Sequence, residues 1–344
     1  MAHEIFGARF IGVREPAWHG LGTILPEAIS AVDALGIAGI DFTYEVSPLM
    51  VETPDGQKIE IPNRQAILRS PTADDPQWRT VGVSSHEYDF VQNDKLAEGL
   101  DQIAAATGWT FETAGALKEG AGIFMTLQTP DGSVKGDRYK NFILVQDSKT
   151  SGKSLQISVV PLRVVCQNTL IAATAAANFD VKIRHGRGIQ DEYTFWTGLV
   201  PRLQKRQEEV FAELNHMADV KISKQRAETF FSEVYPLPEK SSKLRVLEML
   251  DMSDEKLAVS HEYWTAHALR HREAAYQLFE RFNDSDEQGG ETNNSSTAGT
   301  VYAALQAVTE LADWGGSSSA NTGSALFGSR AKVKSAAWKF ASTY

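Results

Sequence analysis

In Leu155-Gln156-Ile157-Ser158-Val159 apolar and polar side chains alternate, the two-residue period of a strand with one buried face. Two earlier runs, Ile123–Leu127 and Phe142–Val145, are apolar and of strand length. Pro130-Asp131-Gly132 is expected to reverse the chain between those two runs, as Pro54-Asp55-Gly56 does between earlier extended segments. Asp147 to Ser154 then joins the second run to the third, and Pro161 ends the third. The stretch from Val164 to about Phe179 is largely apolar and rich in alanine, which predicts a helix lying on the strands. The expectation is an α+β fold: an antiparallel meander with a covering helix (β-β-β-α), followed by a mostly helical region.

Before this unit, Ile59, Ile61, Ala66-Ile67-Leu68, Val81 and Val83 read as strand residues. Leu96, Leu100 and Ile103 place one apolar face on a helix from Asn93 to about Ala106, stopped by Gly108. After Gly188 the period becomes helical. Helices are expected over Pro201–Ala218, Ser223–Val234, Leu244–Leu250, Asp254–Phe282, Thr300–Trp314 and Ser329–Ala341, with polar loops at 283–299 and 315–323. The chain divides on this reading into an α+β core, 1–189, and a helical region, 190–344.

Charge adds a location. The chain carries 34 Lys and Arg against 44 Asp and Glu, a formal net charge of −10. Yet Lys135 to Arg187 holds nine cations against Asp137, Asp147 and Asp180, a local +6 that leaves −16 elsewhere. An acidic protein that concentrates cations on one unit is expected to meet a polyanion there. The candidate nucleic-acid contacts are Lys135, Arg138, Lys140, Lys149, Lys153, Arg163, Lys182, Arg184 and Arg187, with Tyr139 as a stacking surface between two of them. The one cysteine, Cys166, excludes an internal disulfide. No basic leader opens the chain and no run nears the ~18 apolar residues of a membrane span, so a soluble cytoplasmic protein is expected.

Motifs of catalysis are weak. Gly152-Lys153-Ser154 lacks the earlier glycine of a phosphate loop, since Asp147 stands there. His267 and His271, with His261 nearby, have no matched third ligand and read as solvent-facing. Cys166 reads as a buried thiol, and Trp18-His19-Gly20-Leu21-Gly22 as a packed turn. No catalytic residue, metal or cofactor is expected.

Several segments together carry a resemblance: Ala17–Gly22, Tyr88-Asp89-Phe90-Val91-Gln92-Asn93, Arg163–Leu170, and Gly299–Glu310 with Phe327-Gly328. In these the chain resembles phage/plasmid-like proteins filed as domain of unknown function 932, which implies a mobile-element origin and no stated activity. The order of strands followed by a packed helix is also similar to phage single-strand annealing proteins of the Red-beta and RecT types, which hold single-stranded DNA by its backbone in oligomers. The resulting expectation is a homo-oligomer that binds single-stranded nucleic acid and supports annealing or recombination. Two alternatives stand beside it: an acidic DNA mimic that captures a host or phage protein, and a metal-dependent nucleic-acid enzyme.

Overall fold

The structure, a computed structural model, describes residues 5–13, 23–150, 154–163, 181–185, 193–250, 254–283, 294–314 and 329–344. Among these, the larger sheet has strand order β10-β9-β8-β7-β6-β1-β2. Its strands are β1 (Ile5–Val13), β2 (Thr23–Leu25), β6 (Thr110–Leu117), β7 (Gly122–Val134), β8 (Asp137–Ser148), β9 (Ser154–Arg163) and β10 (Val181–Arg184). All its pairings are antiparallel except β1 with β2. A three-stranded antiparallel sheet, β3 (Tyr44–Glu52), β4 (Lys58–Arg69) and β5 (Arg79–Ser85), packs beside it. The α+β class is as the sequence pattern predicts.

The β7–β8 reversal differs from expectation. The turn is made by Lys135 and Gly136, both with positive φ (48° and 87°), the backbone of a two-residue hairpin that matches strand twist. Pro130-Asp131-Gly132 instead sits inside β7, where the register shifts between Thr129 and Gly132. A bulge leaves no ladder bond for proline to break. Likewise Pro161 does not end β9, which continues to Arg163 with Asn141 opposite Pro161.

One apolar core lies between the large sheet and α1 (Ala31–Ala38) and α2 (Asn93–Thr107). Ser30 caps α1 by accepting from Asp33 N, and Gly108 ends α2 in the left-handed conformation its stop position requires. Ile123, Met125, Leu127, Ile143, Val145, Leu155, Ile157 and Val159 supply the sheet side. The same core takes in Trp196 from α3 (Tyr193–Gly198) and Leu203 from α4 (Val200–Asp219).

A second core is helical, built by α4, α5 (Lys224–Val234), α7 (Glu255–Asn283), α8 (Val301–Trp314) and α9 (Ser329–Ala341); α6 (Ser242–Met249) precedes α7. Helix α8 is its axis, with residues 301–309 all buried. Val134 and Tyr139, near the tip of the β7–β8 hairpin, belong to this second core. The hairpin therefore has its root in one core and its tip in the other. The expected covering helix, most of the 283–299 and 315–323 loops, Cys166 and Trp18–Gly22 lie outside the described residues; Asn294–Thr297 form a 3-10 turn. Among the described residues, no helix is long and apolar enough to cross a membrane.

Candidate nucleic-acid interface

Alternation along β8 sorts the cationic stretch onto two faces. Tyr139, Asn141, Ile143, Val145 and Asp147 point one way; Arg138, Lys140, Phe142, Leu144 and Gln146 point the other. Gln146 pairs with Gln156, which pairs with Lys182, and Arg184 pairs with Ser154. Lys182 and Arg184 thus share the face of Arg138 and Lys140. Lys140 is half-buried and the other three are exposed. The two pairs stand at opposite ends of this face, separated by the six residue steps from Lys140 to Gln146, or about 20 Å of strand. Between them Phe124, Leu144 and Val160 are buried in a small apolar layer.

The remaining candidates go elsewhere. Tyr139 is not a stacking surface, because it is fully buried. Its hydroxyl is 2.5 Å from that of Tyr302 and accepts from Gln306 Nε2 at 2.9 Å, while Tyr302 donates to Asp137 Oδ2 at 2.7 Å. Lys149 lies in the β8–β9 connection, as expected, but offers no charge to solvent. Its side chain is 1% exposed, and its ammonium is ion-paired with Asp147 and donates to Val91 O at 2.6 Å. Lys135 pairs with Asp219 at 2.6 Å. Arg163 lies on β9 opposite Tyr139 in register, and Lys153 and Arg187 lie outside the described residues.

The site of Lys149 is an internal electrostatic cluster. Its ammonium lies 4.8 Å from the ring centre of Tyr44 and 5.3 Å from that of Phe90, within cation–π range of both. His185 Nε2 is 2.8 Å from Asp147 Oδ1, close in distance but off-axis, so that neither ring nitrogen makes an aligned hydrogen bond. Burial alone pushes the Asp147 carboxyl up, but Lys149 and His185 together outweigh it and hold it below the usual carboxylate range. Burial pushes the Lys149 ammonium below the ordinary lysine range, and Asp147 offsets part of that. Burial, then the charge of Asp147, raises Tyr44 and Tyr88. With Asp147, Lys149 and His185 all closed to solvent, the cluster joins the two sheets and presents no charge outside.

This cluster also accounts for the Tyr88–Asn93 segment. Phe90 forms the floor beneath Lys149 and Val91 accepts from it. Gln92 accepts from Tyr44 N and donates to Tyr44 O at 2.9 and 2.8 Å, and Asn93 donates to Ile40 O at 2.9 Å. Sequence reasoning missed Tyr302, Gln306 and His185. The first two sit at i and i+4 on the apolar stripe of α8, where a tyrosine and a glutamine amid alanines mark a polar contact. His185 gave no such signal.

His267 and His271 stack at 4.1 Å on α7, and His271 Nδ1 is 2.8 Å from His267 O. Burial, then the neighbouring His271 and Arg270, pushes His267 below the ordinary histidine range. Among the described residues, no group of three or more His, Cys, Asp or Glu side chains could hold a metal ion.

The model of the family described as Domain of unknown function (DUF932) matches residues 80–338, well over half of the chain. No curated protein and no solved structure matches.

Proposed function

The chain belongs to the DUF932 family, and on that premise we propose that it binds single-stranded nucleic acid through the sheet face that carries Arg138, Lys140, Lys182 and Arg184. The observation that supports this is their shared face: four cations of an otherwise acidic chain emerge on one side of the sheet, in two pairs about 20 Å apart. Arg138 and Arg184 are exposed and enter no ion pair among the described residues. Arginine and lysine there neutralise backbone phosphates and release counterions, and the acidic remainder repels the strand elsewhere. No bond is made or broken. Lowered repulsion between two strands is the whole mechanism, and it suits annealing or recombination in a phage or other mobile element. The test is binding of a labelled oligonucleotide at low and high salt, single-stranded beside duplex. Affinity indifferent to ionic strength overturns the proposal.

One observation favours a second reading. Lys149 and Lys135 are engaged by the chain's own carboxylates, as a DNA mimic with an internal cationic brace requires. On that reading the protein binds no oligonucleotide and captures a basic host or phage protein through its acidic exterior.

A further inference from the structure

Helix α7 carries His267 and His271 one turn apart, near the middle of its 29 residues. Four residues is the spacing that sets two side chains side by side on one helix face, with Cβ atoms about 5–6 Å apart. The rings are stacked, with 4.1 Å between centres and 33° between planes. Each has a further ring against it: Trp264 meets His267 at 5.4 Å, and Tyr235, at the end of α5, meets His271 at 5.4 Å. Both histidines are half-buried, so the pair is neither sealed in the core nor loose in solvent.

Hydrogen bonding fixes which nitrogen is presented. His271 Nδ1 lies 2.8 Å from His267 O. A carbonyl oxygen only accepts, so Nδ1 carries the proton of the neutral ring and Nε2 keeps its lone pair. Metal-ligating imidazoles are oriented in the same way, by an N–H bond from the far nitrogen to a carbonyl. The His267 ring enters no hydrogen bond among the described residues, which leaves it a lone pair in either tautomer.

Two imidazoles on neighbouring turns are a chelating pair, and their chemistry selects the ion. Imidazole suits zinc, copper and nickel, whereas magnesium and calcium take oxygen donors. Nitrogens that share one tetrahedral ion stand roughly 3.4 Å apart. Rings centred 4.1 Å apart approach that by turning about χ2, with the backbone unmoved. No third His, Cys, Asp or Glu side chain among the described residues joins the pair. Structural zinc sites are closed by four protein ligands, so an ion here keeps open positions for water or another donor. Arg270, exposed and three residues after His267, opposes a dication and keeps the affinity modest.

We propose that His267 and His271 form a site for a divalent transition-metal ion of the zinc, copper or nickel class, held by His271 Nε2 and the His267 ring. The site needs no nucleic acid and stands apart from the binding reading. Calorimetric titration of the full chain with zinc chloride tests it, with circular dichroism to show that each variant is folded. The chain holds other histidines, so the readout is the difference between variants. The wild type is expected to bind a zinc ion with a dissociation constant of about 10–100 μM, and His267→Ala or His271→Ala to weaken that site at least tenfold. His261→Ala, six residues back and turned to another face, is expected to keep it. His271→Ala with Ala274→His keeps two histidines but sets them two turns apart, and is expected to lose it. Magnesium in place of zinc is expected to show no difference between wild type and the alanine variants. Nitrogen-15 spectra of the imidazoles are expected to place zinc on Nε2 of His271 with Nδ1 still protonated. Zinc titrations that do not differ between wild type and the two single variants overturn the proposal. So does wild-type affinity in the two-turn variant, or zinc on Nδ1 of His271.

Discussion

Replacing Arg138 and Arg184 with glutamine removes half of the cations on the proposed face without touching either core. Each lysine or arginine that engages a phosphate of a single strand adds about −0.7 to the slope of log affinity against log salt. Four engaged cations give about −2.8, so raising salt from about 50 to about 200 mM weakens binding roughly 50-fold. With both arginines gone the slope falls to about −1.4, and the same salt step weakens binding only about sevenfold. Both residues are exposed, one near each end of the face, so thermal unfolding should not change beyond the ±0.5 kcal/mol of ordinary surface substitutions. The assay is fluorescence anisotropy of a labelled oligonucleotide titrated at several sodium chloride concentrations. A slope that is the same in wild type and double variant means that these arginines meet no phosphate, and the assignment of the face is then wrong.

Three further outcomes probe the interior. Asp147→Asn leaves the Lys149 ammonium buried without its counter-charge and is expected to cost about 3–5 kcal/mol in denaturant unfolding; a loss under ~1 kcal/mol contradicts an ionised pair. The folded Asp147 carboxyl titrates below its ordinary 3.8, so it binds fewer protons folded than unfolded near that pH. Its contribution is therefore complete above that value and declines as pH falls below it, and acid-unfolding curves should show a shallower decline in Asp147→Asn. Gly82→Ala drives a methyl group into the backbone carbonyl of Lys149, where β5 meets the end of β8, and is expected to cost about 1–3 kcal/mol by overpacking; a neutral result means the two sheets are not held this close. Tyr302→Phe takes a donor from buried Asp137 and a partner from Tyr139, for an expected loss of about 1–3 kcal/mol in thermal unfolding.

Local signals in the sequence were good guides where they acted locally. Gly108 stops α2, Ser223 caps α5 by accepting from Arg226 N, and the alternation in Leu155–Val159 yields β9. Prolines misled where a bulge or an edge relieved them: β7 passes through Pro130, and the true reversal lies at Lys135-Gly136, a less conspicuous pair. Charge misled more. Counting cations along the chain says nothing about which face each one takes, and a one-residue step on a strand reverses it. Lys140 and Lys149 differ in that way: the first emerges with Arg138, the second falls beside Asp147 and between two rings. Tyr139 looked like a base-stacking residue only because its partner, Tyr302, is 163 residues further along.

The long hairpin of β7 and β8 carries a practical lesson for dissecting the chain. A fragment cut near residue 189 would keep the strands yet strip the cover from Val134, Tyr139 and Asp137, turning a dry, bonded tip into a sticky, wet one. Its complement would hold α8 with Tyr302 and Gln306 facing vacated space. Neither piece would be a faithful miniature of its half, because the two share a beam.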